Sequence, residues 1–124
     1  MELNPDVDLN IDVANLTSEF RDFPILMFRY SQHRAKIETQ RDMAKARLKE
    51  TRATVYKKVK SDTTAKHTQS SLEAEVDTDP TVIEANMKFI RAEHDAATWA
   101  GAVESMRAKK DVLIQLGSDR RKEI

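Results

Sequence analysis

Between Pro24 and Pro80 the chain contains neither glycine nor proline, and its only glycines are Gly101 and Gly117. Those two residue types punctuate strands and turns, so an interval of this length without them predicts long helices and leaves no sites for hairpin turns. Pro24 lacks an N–H and belongs in the first turn of a helix, which predicts a first long helix over residues 24–60. Asp79 followed by Pro80 reads as an N-cap and a first helical residue, and Gly117 after Leu116 reads as a stop. A second long helix is therefore expected over 80–116, with a short one around Ser18 to Phe23 before both. The expected fold is all-α, two long antiparallel helices in a hairpin or coiled coil preceded by a short helix or arm. Residues 1–17 form an acidic N-terminal arm, 18–117 the hairpin domain with a Ser-, Thr- and acid-rich loop at 61–79, and 118–124 a charged tail that frays.

Composition narrows the function. In a chain of 124 residues, 40% apolar and 34% charged side chains predict one thin-cored, elongated domain. The absence of Cys rules out a disulfide framework or a thiolate metal site and suits a reducing cytosol. The N-terminus carries four acids among its first twelve residues and no base, the reverse of a secretory signal. The most apolar run, FPILMFRY, includes Arg29 and is too short to cross a bilayer, which takes roughly 20 residues.

The 21 basic and 21 acidic residues cancel only in total. Residues 1–16 carry a net −4, 17–70 carry +7, 71–106 carry −6 and 107–124 carry +3. Such blocks point to nucleic acid or to oppositely charged partners. Helical stepping along the first helix puts Leu26, Tyr30, His33, Ile37, Ala44, Leu48, Thr51, Val55 and Val59 on one apolar seam. Beside it runs a cationic flank of Arg34, Arg41, Lys45, Lys49, Arg52, Tyr56 and Lys60, interrupted by Glu38; the stretch KARLKETRATVYKKVK also supplies Arg47, Lys57 and Lys58. Residues 41–60 carry +6, and the facing residues 80–99 of a hairpin carry only −1. Most of that charge is left for a ligand, and a phosphate backbone is the natural one. Glu73, Glu75, Asp77 and Asp79 are numerous enough to neutralise it, but exposed ion pairs worth about 0–1 kcal/mol each are not expected to hold a loop in place. Tyr56, inside the flank, is placed either to stack on a base or to cover a helix end.

The second helix has two apolar faces. Ile83, Met87, Ile90, His94, Ala97, Gly101 and Val112 form one, and Val82, Ala85, Phe89, Ala92, Ala96, Trp99 and Val103 form the other. One partner helix cannot cover both, so the second face, with Val82, Phe89, Ala92, Ala96, Trp99 and Val103, is expected to meet another copy of the chain. The small residues Ala96, Ala97, Ala100, Gly101 and Ala102 permit close approach there.

Catalytic chemistry is not visible. His33, His67 and His94 are far apart, without the i, i+4 spacing of a metal pair. The acids from Glu73 to Asp79 lack the glycine and closing glutamate of a calcium loop. No glycine-rich phosphate loop or nucleophile elbow occurs. No catalytic residue, metal or other cofactor is expected.

The order QRDMAKARL, centred on Lys45-Ala46-Arg47-Leu48 and followed by an aromatic, further cations, an acidic loop and a long C-terminal helix, resembles the UvsY-type recombination mediators of tailed phages. The likeness extends over residues 25–116, with Lys49-Glu50-Thr51 where those relatives tend to have aromatics and then glycine. It implies a non-catalytic protein in the host-cell cytoplasm that forms a cyclic homo-oligomer, binds single-stranded DNA and helps load a strand-exchange recombinase onto DNA covered by single-strand binding protein. It also implies that Lys45 and Arg47 contact DNA. The alternative is a structural coiled-coil adaptor, scaffold or assembly chaperone whose cationic flank pairs with an acidic protein.

Overall fold

The computed structural model describes residues 2–62 and 68–123, so residues 63–67 of the 61–79 segment, His67 among them, lie outside the described residues. The fold is all-α, with no strand among the described residues. In chain order it contains α1 (Pro5–Asp8), a single 3-10 turn (Val13–Asn15), α2 (Leu16–Lys60), α3 (Gln69–Thr78) and α4 (Pro80–Lys122). None of these helices is long and apolar enough to cross a membrane.

Three boundaries differ from expectation, two because packing overrides a local signal and one because a capped segment with an apolar edge forms a helix. Pro24 lies inside α2 rather than at its start. An interior proline costs about 3 kcal/mol, but the helix is anchored on both sides of it. Leu16 is buried before it, and Phe23, Leu26, Met27 and Tyr30 pack in or against a core beside and beyond it. At the other end, Gly117 does not stop α4, which runs on to Lys122, and no glycine has positive φ. A Cβ on Gly117 would lie 3.1 Å from two atoms of the Phe20 ring. Close approach of an aromatic, not a left-handed turn, accounts for this glycine. The tail expected to fray is helical through Lys122, and Arg120, Arg121 and Lys122 suit the negative end of the helix dipole. Third, residues 69–78 of the expected loop form α3. Thr68 caps it by accepting a hydrogen bond from the Ser71 N–H, and Leu72 and Val76, one turn apart, are buried. The Asp79-Pro80 start of α4 is as expected, with the Asp79 carboxylate accepting from the Thr81 N–H at 2.9 Å.

The chain divides into two compact units, one of Met1–Lys36 with Ala97–Ile124, the other of Ile37–Ala96. In the first, α2 and α4 segments run antiparallel: Phe20 meets Gly117, and His33 lies edge-on to Trp99 with ring centres 4.2 Å apart. Its core is Tyr30, Val103 and Met106, with Leu3, Leu9, Phe23, Leu26, Met27 and Trp99 around it. The N-terminal residues are no loose arm. Tyr30 is fully buried, and its hydroxyl donates to the Asp8 carboxylate at 2.7 Å. Lys109, 7% exposed, donates to the carbonyls of Asp8 (2.7 Å) and Asn10 (3.1 Å) and pairs with Glu19 at 3.0 Å. In the second unit the core is Val55, Val76 and Val82, bordered by Leu48, Tyr56 and Val59.

The expected seam of α2 faces inward: Tyr30 and Val55 are buried, and its other members are half-buried. The two faces of α4 exchange roles. Val82, Ala96 and Val103, expected to meet a second copy, are buried within the chain, and Phe89, Ala92 and Trp99 are half-buried. Val82 packs on Val55 and Val76, and Trp99 and Val103 pack around Tyr30. The face left open carries Ile83, Met87, Ile90 and Val112, each about half exposed. The inward face is the one that carries the aromatics of α4, Phe89 and Trp99, so turning it inward takes the largest rings out of water and leaves the isoleucines half exposed.

Candidate nucleic-acid interface

All nine cation-flank candidates lie on α2 within the second unit. At 100° per residue, Arg41, Lys45, Lys49, Arg52, Tyr56 and Lys60 share an arc of about 100° next to the apolar seam. Arg47 and Lys58 project about 200° from Lys45, beyond the far side of the seam, and Lys57 falls between the two groups. The structure therefore brings six of the nine together. Lys45, Lys49, Lys57, Lys58 and Arg47 are exposed, and none of them has an ion-pair partner among the described residues. An α-helix fixes this row without side-chain contacts: positions four apart stack one turn above another, so successive lysines extend the same line of charge.

The two ends of the row differ from its middle. Arg41 pairs with its neighbour Asp42 at 3.1 Å, a local contact between partly exposed groups. Arg52 pairs with Asp77 of α3. The Tyr56 hydroxyl donates to Gln69 Oε1 at 3.5 Å, and Lys60 Nζ lies 5.9 Å from the Tyr56 ring centre. Tyr56 also borders the valine core, so its ring is half-buried and is not a free stacking platform. A recess of about 210 Å³ lies between α2 and α3, lined by Arg52, Ala53, Tyr56, Glu73 and Val76. Helix α3 runs antiparallel to α2 here, with Gln69 at Tyr56 and Asp77 at Arg52.

The acids of α3 were visible in the sequence, but their position was not. The signal that could have placed them is local: Leu72 and Val76 at i, i+4 behind a Thr68 cap describe a short helix with one apolar edge. Asp79, at the junction of α3 and α4, has its carboxyl held below the usual range, chiefly by hydrogen bonds from the Thr81 hydroxyl and N–H, with a smaller contribution from Lys58. A larger recess of about 480 Å³ lies in the first unit, but four acids, Asp8, Asp12, Glu19 and Asp22, outnumber its two cations, Arg29 and Lys109, and the Lys109 amine is already engaged. That surface repels a phosphate.

Comparison with family models, curated proteins and solved structures returned no match to this chain.

Proposed function

We propose that the chain binds single-stranded DNA along the α2 flank and acts as a non-catalytic recombination mediator in the host-cell cytoplasm, as its resemblance to UvsY-type proteins implies. One observation carries the reading: Lys45 and Lys49 are exposed, one turn apart, and unpaired among the described residues, in line with Arg52. A row of flexible cations with no base-edge reader grips phosphates and leaves sequence unread. Roughly three phosphate contacts per subunit, each releasing about 0.7 counterion on single strands, give a slope of log K against log salt of about −2.

On this reading the two long helices complete a hairpin, and copies assemble through the open face of α4, where Ile83, Met87 and Ile90 are each about half exposed. Several copies would align several flanks in one groove. A recombinase and a single-strand binding protein are the further partners the resemblance supplies. Arg47, on the opposite side of α2, then reaches DNA only at a subunit junction.

The test is a titration of labelled poly-dT and mixed-sequence oligonucleotides in a salt series, with Lys45→Ala/Lys49→Ala/Arg52→Ala beside the wild type. The wild type should bind both strands within a few-fold of each other, and the triple variant should lose about tenfold or more in affinity with helicity unchanged. Equal affinity in the variant would remove the proposal. The adaptor reading is favoured by a different observation, the use of Arg52 to hold a carboxylate, Asp77. Under it, an acidic polypeptide displaces nucleic acid at equal salt.

A further inference from the structure

The polyanion-binding flank proposed above has an internal competitor. We infer that α3 is an acidic strap, occupying the Arg52–Tyr56 end of the α2 flank with its own carboxylates so that a polyanion gains that end only by displacing them. The inference rests on the proposed flank but concerns its regulation.

The placement is specific. Gln69, Glu73 and Asp77 recur every four residues and so form one line on α3. Two of the three are tied to α2 along that line: Gln69 accepts from Tyr56 and Asp77 pairs with Arg52, while Glu73, between them, accepts from the Gln69 amide and borders the recess with Arg52 and Tyr56. Asp77 thus holds a carboxylate on the cation row where a phosphate would sit, with Glu73 a turn away beside Arg52 and Tyr56. Glu75 is an internal control. It sits about 200° from Glu73, on the opposite side of the same helix, and is exposed.

The hold is firm enough to set a position and weak enough to yield. Two buried side chains, Leu72 and Val76, seat the strap. The Arg52–Asp77 pair is exposed, at 43% and 56% of the two side chains, and an exposed pair contributes about 0–1 kcal/mol. A ten-residue helix has little stability of its own. Lys45 and Lys49 lie beyond the strapped end and stay open, so a polyanion can engage them first and then compete with Asp77 for Arg52.

The test compares single substitutions that remove the same charge from opposite faces of α3. Asp77→Asn, Glu75→Gln and wild type are titrated with labelled poly-dT at low salt and, separately, with heparin as a polyanion that has no bases. Asp77→Asn should bind poly-dT about two- to fivefold tighter than wild type, the gain from removing an exposed pair that the polyanion otherwise has to displace. Glu75→Gln should change affinity less than about twofold, because its charge is distant and screened. Val76→Ala loosens the strap without changing charge and should shift affinity in the same direction as Asp77→Asn. Circular dichroism on each variant checks that α2 and α4 remain helical. If wild type binds poly-dT and Asp77→Asn binds it no better, the strap is overturned and the DNA-binding proposal stands. If poly-dT is not bound, heparin decides: tighter binding by Asp77→Asn than by Glu75→Gln keeps the strap and removes the DNA reading, and equal or absent binding removes both.

Discussion

The first unit joins a buried polar knot to its apolar core, and the second closes on valines alone. Around Tyr30 and Lys109 the side-chain hydrogen bonds and ion pair are buried or nearly so, and they join residues far apart in sequence. Around Val55, Val76 and Val82 the core is smaller and wholly aliphatic, and the polar ties that flank it, Arg52–Asp77 and Tyr56–Gln69, are at the surface. A buried tie that loses one partner leaves the other unsatisfied, whereas a surface tie that breaks is replaced by water. The difference separates a unit whose lysine is committed to the fold, Lys109, from one whose lysines are not, Lys45 and Lys49.

The largest expected effect tests the locked side. Lys109→Met leaves two carbonyls without their donor and the Glu19 carboxylate without its counter-charge, with the Asp12 N–H still donating to it, and should cost about 3 kcal/mol in urea denaturation. Amide exchange should quicken at residues 5–15 and stay unchanged on α3. A uniform increase over both units would mean that they do not differ in this way. Next comes the aliphatic side. Val76→Ala removes two buried carbons and should cost about 2 kcal/mol, read as faster exchange on α3 with the Tyr30 region protected as before.

Tyr30→Phe is smaller, about 1.5 kcal/mol for a hydrogen bond to a carboxylate, and it separates the units by pH. Burial, then the Asp8 hydrogen bond and charge, raise the Tyr30 phenol well above its ordinary value of 10.0. A raised folded-state value means this stabilisation is whole below about pH 10 and is lost as pH rises beyond it, because the unfolded phenol ionises first. The wild type should therefore lose stability in alkali, and Tyr30→Phe should lack that share of the slope. Asp79 has the opposite sign. Its lowered carboxyl adds stability above about pH 4 that is lost as pH falls through the folded-state value, and Thr81→Val should flatten that acid limb.

The smallest effect separates two roles for one glycine. Gly101 is helical and exposed, and a Cβ there meets nothing within 4 Å. Gly101→Ala should stabilise the isolated chain by about 0.5–1 kcal/mol through helix propensity. Destabilisation that grows with protein concentration would instead place Gly101 at a close contact between copies.

Helix content, the α2 seam and the Asp79-Pro80 start were legible because they depend on period and on caps, which are local. Pro24 and Gly117 misled because their usual meanings assume a free helix end, whereas tertiary contacts occupy both neighbourhoods. The two faces of α4 were separable by stepping, but which one turns inward depends on what α2 and α3 present, and spacing does not encode that. Lys109 was missed for a related reason. Stepping from Val103 through Met106 toward Leu113 lands a lysine on an apolar edge, and that misfit pointed to the acidic N-terminus. The cation row was legible as a row, but the strap over its end became visible only once α3 had a side to face.

The bonds from Lys109 to Asp8 and Asn10 join residues about a hundred positions apart in sequence. During synthesis, at roughly 5–20 residues per second, that interval takes about 5–20 s. For all that time the Asp8 and Asn10 carbonyls and the Glu19 carboxylate lack Lys109, and cations that emerge earlier, Arg29 and Lys36 included, are available to them. The polar knot around Lys109 therefore closes only after that part of α4 has emerged, long after the N-terminal residues it ties down.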